Sequence, residues 1–172
     1  SDVGEEVRVS TSKLESFERC GLRWMLESSG GKAADSAAQG IGTMIHALAQ
    51  QAAEEQLTDD QLRARFDIVV AQVDVGVGWF AARQRERAAQ ILDKLIEWMR
   101  GNKRQFVAAE RDFHLTIGRA VLSGQVDRLE LDDDGRLVVV DLKTGKHKPK
   151  DDDVPQHAQL GAYQLAVVEG AF

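Results

Sequence analysis

The chain has 172 residues, of which 43% are hydrophobic and 29% are charged, the balance of a folded globular protein rather than a disordered one. No apolar run approaches the roughly 18 residues that a membrane-spanning helix needs, and no basic segment followed by an apolar one marks a secretory signal. The net charge of −6 lacks the overall basic excess that is usual in nucleic-acid-binding domains. Locally clustered positive charge could still serve that purpose.

The single cysteine, Cys20, excludes an internal disulfide and fits a reducing environment, so we expect a cytoplasmic protein that does not contact a membrane. We expect Cys20 itself to be a small buried residue. Because the chain begins with Ser1 and not with methionine, we expect it to be an excised part of a longer protein. Residues 1–172 are interpreted as a single domain, with a mainly helical part (1–104) and a strand-rich part (105–172).

The first half of the chain shows the apolar spacing of amphipathic helices. Its small-residue stretch, residues 31–42, is predicted to be a loop. Four helices are predicted in this half: one capped by Thr11 or Ser12 and ended by Gly30-Gly31, one over residues 43–56, one capped by Thr58 and continuing to Val70, and one over residues 81–101.

The second half changes to strand-like patterns. Strands are predicted over residues 106–117, 120–131 and 137–140. A hairpin turn is predicted at Asp132-Asp133-Asp134-Gly135, because Asp and Gly tolerate the positive φ that a tight hairpin requires. A last helix is predicted to open at Asp153 and Pro155 and to run through Val167. These elements together indicate an α/β protein with a helical N-terminal half.

The most informative pattern, Asp141-Leu142-Lys143, follows the valine-rich third strand. Because side chains alternate along a strand, Asp141 and Lys143 share one face and Leu142 points into the opposite layer. A hard cation prefers oxygen ligands, and a nearby lysine can position or deprotonate an attacking water. The pattern is therefore typical of metal-assisted hydrolysis, although a solvated salt bridge would also produce it.

Asp127 favours the metal interpretation. It lies on the preceding strand, about as far from the hairpin turn as Asp141, so antiparallel pairing makes the two carboxylates near neighbours. Two carboxylates at one place repel each other unless a cation or a proton intervenes. The preceding Gly124 leaves room for close approach of another backbone or a ligand. The alternative is that the two carboxylates point to opposite faces of the sheet.

Four motifs occur in the order found in the RecB-like branch of the PD-(D/E)XK nucleases. They are Gly42-Thr43-Met44-Ile45-His46, Gly124-Gln125-Val126-Asp127, Asp141-Leu142-Lys143-Thr144-Gly145-Lys146 and Gln159-Leu160-Gly161-Ala162-Tyr163. The chain therefore resembles that branch over most of its length. The resemblance implies a restriction-endonuclease-like core, in which helices flank a mixed central β-sheet, and makes residues 1–172 one nuclease domain.

The resemblance also implies roles for the residues of these motifs. Asp127 and Asp141 would be catalytic and would ligate Mg²⁺ or Mn²⁺. The Leu142 carbonyl oxygen and His46 would complete the metal shell. Lys143 would orient the water and stabilise the charge that develops on the phosphate. For His46, the alternative is an ordinary helix histidine bonded to neighbouring backbone.

Three further residues match the family pattern. Gln159 and Tyr163 would lie near the catalytic centre and DNA, and their i, i+4 spacing puts both on one face of the last helix. The alternative interpretation of Gln159 is an ordinary surface polar residue, and that of Tyr163 is an aromatic residue of the core with its hydroxyl at the surface. Glu110 stands where the family often has a strand glutamate and is a second-shell candidate.

Positive charge lies next to the proposed centre. Lys146, Lys148 and Lys150 could bind backbone phosphates, or could simply balance nearby aspartates in a solvated loop. Arginines on the helices could extend a DNA track, or could be ordinary solvent-facing residues; these are Arg19, Arg23, Arg83, Arg85 and Arg87. Some relatives hold an iron–sulfur cluster through four cysteines, and a chain with one cysteine cannot build such a cluster alone.

The resemblance implies a metal-dependent deoxyribonuclease that hydrolyses phosphodiester bonds. The leading hypothesis is the exonuclease module of a bacterial helicase–nuclease that processes double-strand breaks. Its partners would be DNA, as single strands or duplex ends, and a helicase domain in the same or a partner chain, since no ATP-binding glycine loop occurs here. One alternative is a catalytically silent DNA-binding or scaffolding relative. Another is a stand-alone CRISPR-associated nuclease of the same superfamily.

Overall fold

A computed structural model describes residues 6–30, 37–145 and 157–172 of the chain. Within those ranges the chain forms six helices and four strands. In chain order they are β1 (Val7–Ser10), α1 (Thr11–Arg19), α2 (Gly21–Ser28), α3 (Ala37–Glu54), α4 (Asp59–Val70), α5 (Gly78–Gly101), β2 (Gln105–Ile117), β3 (Ala120–Leu131), β4 (Leu137–Val140) and α6 (Ala158–Val168).

The four strands form one mixed sheet in which β3 is bordered by the other three. β1 pairs with β3 in parallel, with Val7 opposite Ala120, and β4 pairs with β3 in antiparallel fashion, with Arg128 opposite Val140. Helices and a mixed sheet confirm the predicted α/β class and agree with a restriction-endonuclease-like core. Among the described residues, no helix is both long enough and apolar enough to cross a membrane.

The chain forms two compact units. The described part of the first unit comprises residues 6–30, 110–126 and 157–172, and that of the second comprises residues 37–109 and 127–145. The single-domain interpretation of residues 1–172 stays a prediction.

The core of the second unit is built on α3, α4 and α5. Their buried apolar side chains recur at helical spacing, so each helix contributes one stripe to a common core. The largest of these buried side chains include Ile41, Ile45, Leu62, Leu92 and Ile96. α4 begins with a capping box, in which Thr58 accepts from the Gln61 N–H and the Gln61 side chain accepts from the Thr58 N–H. The predicted start of this helix is confirmed.

A buried carboxylate also lies in the second unit. Glu130, on β3, has no exposed surface. Its Oε1 accepts from Arg128 Nε and from Asn102 Nδ2, both at 2.5 Å. The Arg128 guanidinium in turn lies 5.5 Å from the centre of the Trp98 ring and 4.7 Å from that of Phe106. Burial of this charge is tolerated because it is paired and hydrogen-bonded.

The core of the first unit gathers around an aromatic cluster. Phe113 on β2 packs edge-on against Tyr163 on α6, with ring centres 6.0 Å apart, and also contacts Phe172. A Cβ added to Gly124 would lie 2.8 Å from both Phe113 and Thr11. The close approach predicted for Gly124 is therefore made by these two side chains.

The first predicted helix is wrong in its extent. Cys20 is extended (φ −165°, ψ 104°), and it separates α1 from α2. The cap of α1 is Ser10, whose hydroxyl accepts from the Lys13 N–H, and not Thr11 or Ser12. Cys20 is also exposed, not buried, because it lies at this break instead of on an apolar stripe.

Other helix boundaries also shift. α3 begins at Ala37, so part of the predicted loop is helical; alanine is the strongest helix former, and the segment's small residues do not prevent the helix. α5 begins three residues earlier than predicted, at Gly78. The predicted opening of the last helix at Asp153 and Pro155 lies outside the described residues, and α6 runs from Ala158 with His157 as its N-cap.

Candidate active site

The hairpin of β3 and β4 sets the position of two acidic residues in the second unit. Arg128 pairs with Val140, and the next position outward in the same register joins Asp127 to Asp141. The turn that fixes this register closes through Asp132 N–H to Arg136 O (3.0 Å), with Gly135 at φ 75°. The predicted hairpin turn is confirmed.

The Asp127 carboxylate contacts both the segment after β4 and helix α3. Its Oδ2 accepts from the Leu142 N–H at 2.5 Å, and its Oδ1 lies 3.3 Å from His46 Nδ1. Leu142 itself packs against the core of the second unit, as its predicted orientation requires. One carboxylate therefore connects the end of β4 to α3, and its side chain remains only 16% exposed.

α3 presents two residues of the Gly-x-x-x-His motif to this hairpin. Gly42 and His46 are one helical turn apart and so lie on the same face. A Cβ at Gly42 would lie 3.0 Å from the Thr144 hydroxyl oxygen, which is tighter than an ordinary contact. Glycine at position 42 thus lets the segment after Asp141 pass close to the helix that carries His46.

Asp141 and Lys143 form an ion pair, with Lys143 Nζ 2.7 Å from Asp141 Oδ2. Burial raises the pKa of the Asp141 carboxyl; the neighbouring Lys143 ammonium opposes that rise, and the Asp127 carboxylate adds to it. The repulsion between the two carboxylates shows that they share one electrostatic environment. The Asp141 side chain is 9% exposed, whereas that of Lys143 is 40% exposed, so the carboxylate of the pair is largely buried and the ammonium is accessible to solvent.

These groups suit a divalent cation. His46 and Asp127 each offer a ligand atom, and Asp141 adds a second carboxylate within the same unit. Two carboxylates satisfy the oxygen preference of Mg²⁺ and Mn²⁺. A cation would also relieve the repulsion between Asp127 and Asp141.

A hydrogen bond near the site, between Arg87 and Thr144, was not predicted from the sequence. Arg87 on α5 donates from Nη2 to the Thr144 carbonyl oxygen at 3.1 Å. Thr144 follows Lys143 directly, so this bond restrains the loop that carries the lysine. The Asp141–Lys146 motif includes Thr144, but nothing in the spacing of α5 distinguishes Arg87 from the other arginines.

Gln159 and Tyr163 lie in the first unit. Gln159 Nε2 donates a hydrogen bond to Tyr163 Oη at 2.7 Å. The Tyr163 hydroxyl in turn donates to the Gln125 carbonyl oxygen at 3.1 Å. The shared helix face is thus confirmed. Gln159 is buried, not a surface polar residue, and Tyr163 is 2% exposed. Their catalytic roles stay predictions.

Glu110, the second-shell candidate, also lies in the first unit. It is half-buried on β2 at φ 47°, a left-handed conformation that residues other than glycine seldom adopt. Its carbonyl oxygen accepts from Gln125 Nε2 at 3.2 Å. The Gln125 of the second motif therefore braces β2 at this unusual position.

The structure describes only some of the basic residues that were predicted to contact DNA. Lys146, Lys148 and Lys150 lie outside the described residues. Arg19 and Arg23 form ion pairs with Glu15 and Glu27 one turn away, at 2.8 and 2.7 Å, so their charge is balanced within their own helices.

In a comparison with known protein families, the family model of the PD-(D/E)XK nuclease superfamily matches residues 8–172, which include every residue of the candidate site. No curated protein matches the chain at a significant level.

Proposed function

The chain belongs to the PD-(D/E)XK nuclease superfamily, and on this basis we propose that it is a metal-dependent deoxyribonuclease whose active site is formed by Asp127, Asp141 and Lys143. The observation that carries the proposal is the arrangement at the hairpin end. Two largely buried carboxylates share one environment there, and an ammonium lies 2.7 Å from one of them.

Asp127, Asp141, His46 and the Leu142 carbonyl oxygen are the proposed ligands of Mg²⁺ or Mn²⁺. When bound, such a cation lowers the pKa of a water molecule and shields negative charge on the phosphoryl oxygens. The hydrogen bond from the Leu142 N–H fixes the orientation of the Asp127 carboxylate. The His46 ring lies next to the other oxygen of the same carboxylate.

Lys143 has the exposure that a group acting on substrate needs. Its side chain is 40% exposed and carries a charge that complements phosphate, while its ion pair with Asp141 keeps the ammonium at the site. We expect Lys143 to orient the attacking water and to stabilise the negative charge that develops on the phosphate. Hydrolysis would leave a 5′-phosphate and a 3′-hydroxyl.

Removal of either group tests this mechanism. We expect Asp141→Asn and Lys143→Ala each to reduce Mg²⁺- or Mn²⁺-dependent cleavage of single-stranded DNA by about 100-fold or more, because preorganised charge at the reacting phosphate is lost. Cleavage is followed with an end-labelled oligonucleotide, with and without EDTA.

Matched controls are available on exposed helix and loop surfaces. Asp67→Asn and Lys103→Ala make the same chemical changes at exposed positions and should leave cleavage unchanged. Wild-type rates in both active-site variants, or cleavage that persists in EDTA, would contradict the proposed mechanism. Loss of cleavage in the controls as well would point to misfolding, which circular dichroism would reveal.

The wider role extends the same proposal. An exonuclease module of a helicase–nuclease in double-strand-break repair would act on DNA ends in the cytoplasm, with motor activity supplied by a helicase domain. Family membership supports the nuclease part of this role. Degradation of linear but not of circular single-stranded DNA would support exonuclease action, and equal degradation of both would contradict it.

A further inference from the structure

The first turns of α5 border an open cavity of about 910 Å³, and the described residues that line it belong to the second unit. Trp79 and Phe80 form its apolar wall, and they are 76% and 46% exposed. Their rings are nearly perpendicular, at 87°, with centres 6.1 Å apart. Large exposed aromatic surfaces of this kind commonly mark binding sites, so the wall is available to a planar ligand.

Two arginines line the same cavity. Trp79, Arg83 and Arg87 follow each other at intervals of four residues and therefore share one face of α5. Neither arginine forms an ion pair within the described part of the chain. Glu86 contributes one negative charge to the lining, which leaves an excess of one positive charge among the described lining residues.

Five other helical arginines of this chain differ in that respect. Each of the five is balanced by a carboxylate at hydrogen-bonding distance; these are Arg19, Arg23, Arg63, Arg65 and Arg100. In a chain of net charge −6, positive charge left unbalanced beside exposed aromatic rings favours an anionic ligand with flat groups. Single-stranded nucleic acid has both properties, since its bases are unstacked and its backbone is charged.

The cavity is connected to the active site through one residue. Arg87 lines the cavity and also donates to the Thr144 carbonyl oxygen, next to Lys143. A strand that contacts Arg87 therefore lies beside the loop that carries the proposed catalytic lysine.

We propose that this face of α5 binds unpaired nucleotides of single-stranded DNA, with bases stacked on Trp79 and Phe80 and backbone phosphates paired with Arg83 and Arg87. The inference rests on the proposed nuclease function and names the part of the chain that holds the substrate strand. Duplex DNA does not fit the same contacts, because its bases present no free faces.

Binding without cleavage tests the proposal. Affinity for a fluorescein-labelled oligothymidine is measured by fluorescence anisotropy in EDTA. We expect Trp79→Ala with Phe80→Ala to weaken binding by about 5- to 100-fold, since stacking on aromatic rings accounts for that range per base. The loss should be small for an abasic oligonucleotide of the same length, which has no bases to stack.

Substitution of the two arginines should change the salt dependence of binding. Arg83→Gln with Arg87→Gln should weaken binding and reduce the slope of log K against log salt concentration by about 1.4, or roughly 0.7 for each phosphate contact on a single strand. Arg63→Gln, an arginine of α4 that is paired with Asp93, and Ile68→Ala, an exposed apolar residue of α4, are the matched controls. Both controls should bind like the wild type.

The outcomes separate this proposal from the nuclease mechanism. Unchanged affinity in the aromatic variant, or equal losses on normal and abasic oligonucleotides, would overturn the stacking site and would favour a protein partner for Trp79 and Phe80. That result would not contradict the nuclease proposal, which depends on cleavage by the wild type. Conversely, aromatic-dependent binding in a wild-type protein that never cleaves DNA would support the stacking site and contradict the nuclease proposal.

Discussion

Gly42 and Thr144 illustrate how single residues determine the active site. A methyl group at position 42 would lie 3.0 Å from the Thr144 hydroxyl oxygen. The substitution Gly42→Ala should therefore push Thr144, and with it Lys143, away from α3 by a few tenths of an ångström. Because displacement of a catalytic group by 1 Å can reduce the rate by about 100-fold, we expect cleavage by Gly42→Ala to fall by roughly 3- to 10-fold, measured on single-stranded DNA, with little change in the thermal melting temperature.

The second partner of this contact supplies the control. Thr144→Ala removes the hydroxyl that a Cβ at Gly42 would meet. The double variant should thus recover much of the activity that Gly42→Ala loses, while Thr144→Ala alone should stay near wild type. Equal activity of Gly42→Ala with and without the second substitution would show that the contact does not control the lysine.

The sequence predicted most of the candidate site because its chemistry is concentrated in short motifs. Asp127 and Asp141 are found from their equal distance to a hairpin turn, and the observed register joins them as expected. The bond from Arg87 to Thr144 could be identified only from coordinates, because it links two segments 57 residues apart in sequence. Local patterns do not encode contacts of that kind.

At the scale of elements, helix interiors were easier to predict than helix ends. Apolar spacing identifies α4 and α5, but the break between α1 and α2 has no strong breaker. Cys20 carries neither the ring of proline nor the flexibility of glycine, and Gly21, which follows it, is the first residue of α2. The start of α3 at Ala37 was missed for a similar reason, because small residues are compatible with both loop and helix.

α4 offers a test of a helix end that was predicted correctly. Thr58→Ala removes the hydroxyl that accepts from the Gln61 N–H. We expect the free energy of unfolding in urea to fall by about 0.5–2 kcal/mol, the usual range for loss of an N-cap. Thr58→Ser keeps the hydroxyl and should lose little. Similar losses in both variants would mean that the methyl group, and not the cap, stabilises this end.

At the scale of the whole molecule, the proposed cation should stabilise the folded chain. It would join the proposed ligands on α3, β3 and the segment after β4, and it would screen the repulsion between Asp127 and Asp141. At Mn²⁺ concentrations about 100 times the dissociation constant, binding adds about 2.7 kcal/mol. For a chain of this length we expect the melting temperature to rise by roughly 5–10 °C in differential scanning calorimetry.

The combined variant Asp127→Asn with Asp141→Asn is the comparison for this measurement. It retains the size of both side chains but removes their charge, so its melting temperature should not respond to Mn²⁺. An identical rise in the variant and the wild type would place the metal-binding residues elsewhere in the chain.

The buried Glu130 has a consequence for how the hairpin assembles. Arg128 lies on the same strand and the same face as Glu130, so the two residues move together. A slip of β3 by a single position would exchange its two faces and would take Glu130 away from the Asn102 amide that donates to it. Loss of a hydrogen bond to a charged group costs roughly 1.5–3 kcal/mol, so Glu130 disfavours a misaligned hairpin and favours the alignment in which Asp127 lies opposite Asp141.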